Sequence, residues 1–153
     1  MISENTQAPD FTLPSDTTGT VTLSELQGKP VVLFFYPKDN TPGCTTEAID
    51  FTARRADFEA LGCHVMGISK DSVKKHDNFR AKHDLGVVLL SDAEAKVCED
   101  YGVWQEKKMY GKTFFGIVRS TFLIDGSGRI VREWRKVKVD GHAEEVLTAT
   151  KAL

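Results

Sequence analysis

At 153 residues, with 41% hydrophobic and 27% charged side chains, the chain is long enough for one well-developed core and too apolar to remain disordered. Twenty basic and 22 acidic residues leave a net charge of −2, so no global field recruits nucleic acid or an anionic membrane, and small molecules or other proteins are the expected partners. No apolar run approaches the ~20 residues that span a bilayer, and Met1-Ile2-Ser3-Glu4-Asn5 lacks the basic and apolar segments of a signal peptide, so a cytoplasmic protein is expected.

No linker, repeat or composition break divides the chain, and residues 1–153 read as a single domain. Phe11-Thr12-Leu13 and Val21-Thr22-Leu23 read as short strands around the polar turn Ser15 to Gly19, and Ser24 to Leu26 as one helical turn. Val31 to Tyr36 is an unbroken apolar run of strand length, ended by Pro37, which has no N–H for a ladder. Thr41 then stands as an N-cap and Pro42 as the first residue of a helix running to about Ala60. Ala48, Phe51, Phe58 and Leu61 give this helix a buried stripe, and Gly62 stops it. Val65 to Ser69 is a strand, Ser72 to about His83 a helix, Val87 to Leu90 a strand and Ala93 to Tyr101 a helix. Thr121 to Ile124 and Ile130 to Trp134 are strands joined by Asp125-Gly126-Ser127-Gly128, and Gly141 to Ala152 closes the chain as an amphipathic helix. This alternation implies an α/β fold, a mixed central sheet with helices on both faces.

On this register Cys44 is the third helical residue. Its sulfur lies beside backbone N–H groups without intrahelical partners, at the positive end of the helix dipole. Such a place favours the thiolate, the nucleophilic form, so Cys44 reads as reactive. Cys63 and Cys98 have no helix-start context and read as small buried hydrophobes. Three cysteines without a C-x-x-C pair exclude a disulfide scaffold. Glu47, three residues beyond Cys44, stands where a dithiol oxidoreductase needs its second thiol. His76 and His83 are about 10.5 Å apart along a helix, too far to share one ion, and Cys63 and His64 point to opposite faces of a strand. There is no glycine-rich phosphate loop, so no metal and no cofactor are expected. Arg132 to Lys138 reads as the solvated face of an edge strand, and Tyr36 and Trp104 as core or pocket wall.

Pro37, Thr41 and Cys44 together match P-x-x-x-T-x-x-C, the signature of the peroxiredoxins. The longer stretch Phe35-Tyr36-Pro37-Lys38-Asp39 through Thr41-Pro42-Gly43-Cys44-Thr45 resembles their bacterioferritin-comigratory-protein (peroxiredoxin Q) subfamily. Met66 to Asp71, Val97-Cys98-Glu99 to Gly102-Val103-Trp104, and Gly111-Lys112-Thr113 through Arg119 to Asp125 match it in order, so the resemblance extends over nearly the whole chain. It implies a thioredoxin-like sandwich and a thiol peroxidase acting on hydrogen peroxide and organic hydroperoxides through a Cys44 sulfenic acid. By this resemblance Thr41 contacts the peroxide, backbone N–H groups around Gly43 and Cys44 add hydrogen bonds, and Pro37 shields the sulfur. Arg119 pairs with thiolate and peroxide, and Glu47 orients Arg119. Without the resemblance, Arg119 reads as a strand-flanking surface charge, Thr41 as a cap and Glu47 as a solvated first-turn acid.

The chain departs from its relatives in how the sulfenic acid is reduced. Many carry a resolving cysteine five residues after the first, here Ile49; others carry it on the next long helix, Ser72 to His83, which here has none. Cys63 lies ~28 Å from Cys44 if the intervening chain is helical, against the 4.4–6.8 Å or so between Cα atoms that a disulfide requires. A one-cysteine cycle with an external thiol is therefore expected, the reductant being thioredoxin, glutaredoxin with glutathione, or a small thiol. Resolution through Cys98 or Cys63, a non-enzymatic redox sensor at Cys44 and an interaction module with an inert cysteine are the alternatives. Relatives of this kind are often monomeric, and a monomer is expected.

Overall fold

All five residues of β3 (Val31–Phe35) are buried, the pattern of a strand covered on both faces. In the computed structural model, which describes residues 3–153, β3 is the centre of a five-stranded sheet ordered β5-β4-β3-β8-β9. It runs parallel to β4 (His64–Ser69), which is parallel to β5 (Val88–Ser91). On its other side it pairs antiparallel with β8 (Ser120–Ile124), which pairs antiparallel with β9 (Ile130–Arg135). The mixed sheet expected from the sequence is present. Near the N-terminus β1 (Thr12–Pro14) and β2 (Thr20–Thr22) form a small antiparallel pair, followed by a 3-10 turn at Leu23–Leu26.

Strand alternation divides the core into two layers. Val31, Leu33 and Phe35 pack with Leu13, Ile68, Tyr101, Phe122 and Cys98, the last from α4 (Lys96–Asp100). Val32, Phe34 and Tyr36 pack with Phe51 of α1 (Pro42–Ala53), Phe58 of α2 (Arg55–Ala60), Phe79 of α3 (Val73–His83) and Val146 of α5 (His142–Lys151). Gly67 makes this second layer possible: a Cβ there would come within 2.7 Å of the Phe34 ring. Phe34 in turn stacks on Phe51 with ring centroids 4.7 Å apart. Helices thus cover both faces, four on one and the short α4 on the other. Among the described residues no helix is long and apolar enough to cross a membrane.

Three elements differ from the sequence reading. The helix expected from Pro42 to Ala60 breaks at Arg54, whose N–H bonds back to Phe51 rather than one residue further (φ −102°, ψ 10°). Ala48, Phe51 and Phe58 are buried as read, but Leu61 lies beyond the end of α2 and is exposed. The helix expected from Ala93 starts only at Lys96, because Ala95 takes a left-handed conformation (φ 60°) and the Asp92 carboxylate accepts the N–H groups of Val97 and Cys98. The third is a hairpin the pattern does not reveal, β6 (Trp104–Met109) and β7 (Lys112–Ile117). Its tight turn places Tyr110 and Gly111 at φ 52° and 75°. Most of its residues are exposed, so no apolar/polar alternation marks it. Of the basic run only Arg132 to Arg135 lies on β9, an outer strand, with Arg132 exposed; Lys136 and Lys138 are exposed but follow the strand's end, while Trp134 packs edge-on against His142.

Candidate active site

The site forms where β3 ends and α1 begins. Tyr36 stays buried, Pro37 and Lys38 emerge, and Thr41 takes the N-cap position with Pro42 in the first turn. The Thr41 hydroxyl does not cap the helix. It donates to the Lys38 carbonyl at 2.8 Å, which commits its proton to the backbone and leaves its oxygen as an acceptor. Gly43 and Cys44 follow, with N–H groups too early in the helix for intrahelical partners. Cys44 is 1% exposed.

Sheet register delivers the arginine. In the antiparallel pair of β3 and β8, Phe35 lies opposite Ser120, so the residue just before β8 meets the chain just after β3. That residue is Arg119. Its backbone is held by the Val137 N–H bonding to its carbonyl at 3.0 Å. Its guanidinium fork takes two acceptors from one face of α1: Nη2 lies 3.3 Å from Cys44 Sγ, and Nη1 donates to Glu47 Oε1 at 2.7 Å. A Cβ at position 43 would lie 3.1 Å from Arg119 Nη2, so glycine there leaves room for the fork.

Electrostatics follow burial. Glu47 is 1% exposed, not a solvated first-turn acid, and burial pushes its carboxyl up to about 7 against the opposing pull of Arg119. Its Oε2 finds no hydrogen-bond partner among the described residues. For Arg119 burial acts downward, but Glu47 and then Cys44 outweigh it and hold the guanidinium above its ordinary value. Lys107 on β6 also feels the site: burial and Arg119 lower its ammonium while Cys44 opposes them. Sequence reasoning missed Lys107 together with its hairpin; Tyr110-Gly111 as a two-residue turn is the signal that could have found both.

The structure therefore brings Cys44, Arg119, Glu47 and Gly43 together, with Thr41 at the head of the same helix and Pro37 exposed where the loop leaves β3. It keeps the other cysteines away. All three are free thiols. Cys98 is fully buried in the core layer on the opposite face of the sheet from Cys44, its thiol raised by burial and by Asp92. Cys63 shares the layer of Cys44 but precedes β4, next to the residue paired with Val31, whereas Cys44 follows the far end of β3. Five strand residues at about 3.3 Å each put about 17 Å between those ends. Burial raises the Cys63 thiol to about 12. Ile49, at the position five beyond Cys44, is exposed.

Comparison with known proteins places the chain in a family. Residues 5–133 match the AhpC/TSA family. The chain is 51% identical over 145 residues to peroxiredoxin Bcp of Bacillus subtilis (strain 168), covering 95% of this chain and 92% of the relative. A structure of the Xanthomonas campestris bacterioferritin comigratory protein, from work on its alkyl peroxide reduction, superposes with a TM-score of 0.89 at 47% identity, covering 93% of this chain and 90% of the other. Xylella fastidiosa PrxQ, solved as a cysteine-to-serine mutant, gives 0.90 at 43% identity, with 98% of each chain covered. The fold is the thioredoxin-like one of those structures, and the chain belongs to the AhpC/TSA family as a peroxiredoxin of the Bcp (PrxQ) group, a thiol-dependent peroxidase.

Proposed function

We propose that Cys44 is the peroxidatic nucleophile and that the oxidised sulfur is rescued by a thiol from outside the chain. The observation that carries this reading is the Arg119 guanidinium 3.3 Å from a buried Cys44 sulfur in the first turn of a helix. Hydrogen peroxide and organic hydroperoxides are the substrates. The thiolate attacks the terminal peroxide oxygen; an S–O bond forms as the O–O bond breaks. The sulfur loses two electrons, and the departing oxygen takes a proton to leave as alcohol or water. Arg119 sits where negative charge passes from sulfur to oxygen, and its fixed fork requires little rearrangement as that happens. Thr41, with its own proton on Lys38, is left to accept the peroxide O–H. The Gly43 and Cys44 N–H groups donate to the peroxide oxygens, Pro37 limits water at the sulfur, and Glu47 holds Arg119 in orientation.

In the second half of the cycle the added thiol attacks the sulfenic acid, releasing water and forming a mixed disulfide on Cys44, which a second thiol resolves. Thioredoxin, glutaredoxin with glutathione, or a small thiol fits this role. The placement of Cys98 across the sheet and of Cys63 at its other end supports it. The reading takes the protein as a cytoplasmic monomer, with its three unpaired cysteines in keeping with a reducing compartment. Mass spectrometry after one equivalent of peroxide tests the scheme: Cys44 sulfenic acid, or its adduct with added thiol, is expected. A Cys44–Cys98 or Cys44–Cys63 disulfide in most molecules would overturn the one-cysteine cycle. Oxidation that stops after one equivalent in the presence of each reductant would leave a sensor instead.

A further inference from the structure

Behind the loop at 37–41 lies a buried polar network that the chemistry at Cys44 does not touch. Tyr36 donates its hydroxyl to Asp39 Oδ1 at 2.7 Å, and Asp39 Oδ2 meets His76 Nδ1 at 2.7 Å. His76 Nε2 lies 2.9 Å from the Leu90 carbonyl, which can only accept, so Nε2 carries a hydrogen. With a carboxylate on one nitrogen and a carbonyl on the other, the ring is satisfied as a donor at both, the imidazolium form. Asp39 donates its backbone N–H to Asp71 Oδ2 at 2.8 Å, which also accepts the Ser69 hydroxyl at 2.7 Å. His76 is 0% and Asp39 6% exposed.

A buried ion pair of this kind is a weak source of net stability, because desolvation offsets most of the attraction. Its value is directional. Here it ties four parts of the fold to one loop residue: the end of β3 through Tyr36, the turn after β4 through Asp71, α3 through His76 and β5 through Leu90. Asn40, next in the chain, holds φ 62°, a left-handed turn conformation that asparagine adopts more readily than other side-chain-bearing residues. The residue before Asp39 is Lys38, whose carbonyl fixes the Thr41 hydroxyl. The groups facing the ring are Asp39, Asp71 and Tyr36, with only a carbonyl from β5. Burial by itself would lower the imidazole; the hydrogen bond and charge of Asp39, with Leu90 and Asp71 adding, hold it above its ordinary value. Lys38 and Lys75 line a surface cavity beside Asp39 and Asp71 that gives water access to the network's edge.

We propose that His76 and Asp39 are positioning residues for the peroxide step: their buried pair locks the 37–41 loop so that the Lys38 carbonyl aims the Thr41 hydroxyl at the substrate. The proposal rests on the peroxidase reading for its kinetic consequence but not for its structural one. Misplacing one substrate contact by a fraction of an ångström to an ångström costs rate without removing the nucleophile, on the order of 10- to 100-fold.

The test compares wild type with His76→Gln, Asp39→Asn and the mild Tyr36→Phe, each checked for folding by thermal denaturation. Oxidation of Cys44 by hydrogen peroxide is expected to slow by roughly 10- to 100-fold in the first two, while alkylation of Cys44 by iodoacetamide, which needs no Thr41, changes by less than about threefold. Thr41→Val added to His76→Gln is expected to bring little further loss, since both act on one contact. In wild type the peroxide rate constant is expected to fall at alkaline pH as His76 loses its proton, a limb absent from His76→Gln. If His76→Gln does not fold, Asp39→Asn and Tyr36→Phe carry the same comparison, with Tyr36→Phe giving the smaller loss. Folded variants that keep the wild-type peroxide rate, or that lose alkylation and peroxide rates in parallel, would overturn the proposal. Hydrogen exchange at the 39–41 amides separates it from the peroxidase reading. Faster exchange in His76→Gln supports the anchor even if wild type consumes no peroxide, and unchanged exchange sinks it even if wild type is active.

Discussion

Arg119 Nη2 sits 3.3 Å from Cys44 Sγ, although 75 positions separate the two residues in the chain. The contact depends on the antiparallel register that sets Ser120 against Phe35, so the arginine just before β8 arrives at the cysteine just beyond β3. One guanidinium then serves two acceptors of α1, and that sharing governs the behaviour expected of the site.

Replacing Arg119 by Ala is expected to slow Cys44 oxidation on the order of 10²- to 10³-fold, the usual scale for a preorganised donor to developing charge. Arg119→Lys restores a point charge without the fork and is expected to recover only part of the loss. The protein stays folded in both, because in Arg119→Ala the buried Glu47 carboxyl keeps a proton and in Arg119→Lys it keeps a cation beside it. Stopped-flow oxidation alongside thermal denaturation checks both statements.

The three cysteines are expected to behave differently. Cys44→Ser abolishes peroxidase turnover, while Cys63→Ser and Cys98→Ser largely retain it. Cys98→Ser is expected to cost about 1 kcal/mol of stability or less, since the buried Asp92 carboxylate beside the thiol offers the new hydroxyl an acceptor. With its thiol raised to about 12, Cys63 reacts slowly with alkylating reagents in the native state at pH 8. A timed alkylation with mass mapping reads the order of labelling.

Glu47 links stability to pH. The folded protein keeps its proton up to about 7, whereas the unfolded chain releases it near 4.5. Between those values the folded state binds more protons, so the Glu47 contribution is full below about pH 4.5 and is lost as pH rises through 7. At ~1.4 kcal/mol per pH unit the window is worth up to about 3 kcal/mol. Denaturation of wild type and Glu47→Gln across pH 4–8 is expected to show this fall only in wild type.

Gly43→Ala tests the room left for Arg119. A methyl group would meet Nη2 at 3.1 Å and push the fork aside by a few tenths of an ångström. A peroxide rate several-fold lower with a melting temperature little changed is the expected outcome. A wild-type rate would show that the fork does not depend on this space.

Local signals were legible because their causes are local. The apolar run before Pro37, the Thr41-Pro42 start and the place of Cys44 in the first turn of α1 each depend on neighbours within a few residues, and each is where the pattern put it. The place of Glu47 in the first turns of α1 suits a solvated acid, and its burial depends on what covers α1 rather than on that place. The β6–β7 hairpin is not legible in the sequence because both its faces are largely exposed and no apolar period marks it. His76 shares a helical pattern with His83, but its partner is Asp39, a pairing across 37 positions that no helical spacing encodes.

By itself, then, the sequence determined a strand, a stop and a helix start with a cysteine three residues in, because backbone preferences and helix-end electrostatics act over one or two turns. Only the tertiary structure decided which cation meets that sulfur, which carboxylate shares that cation, and on which face and at which end of the sheet the other cysteines sit. Those outcomes follow from strand register and from desolvation, and both are properties of the assembled core.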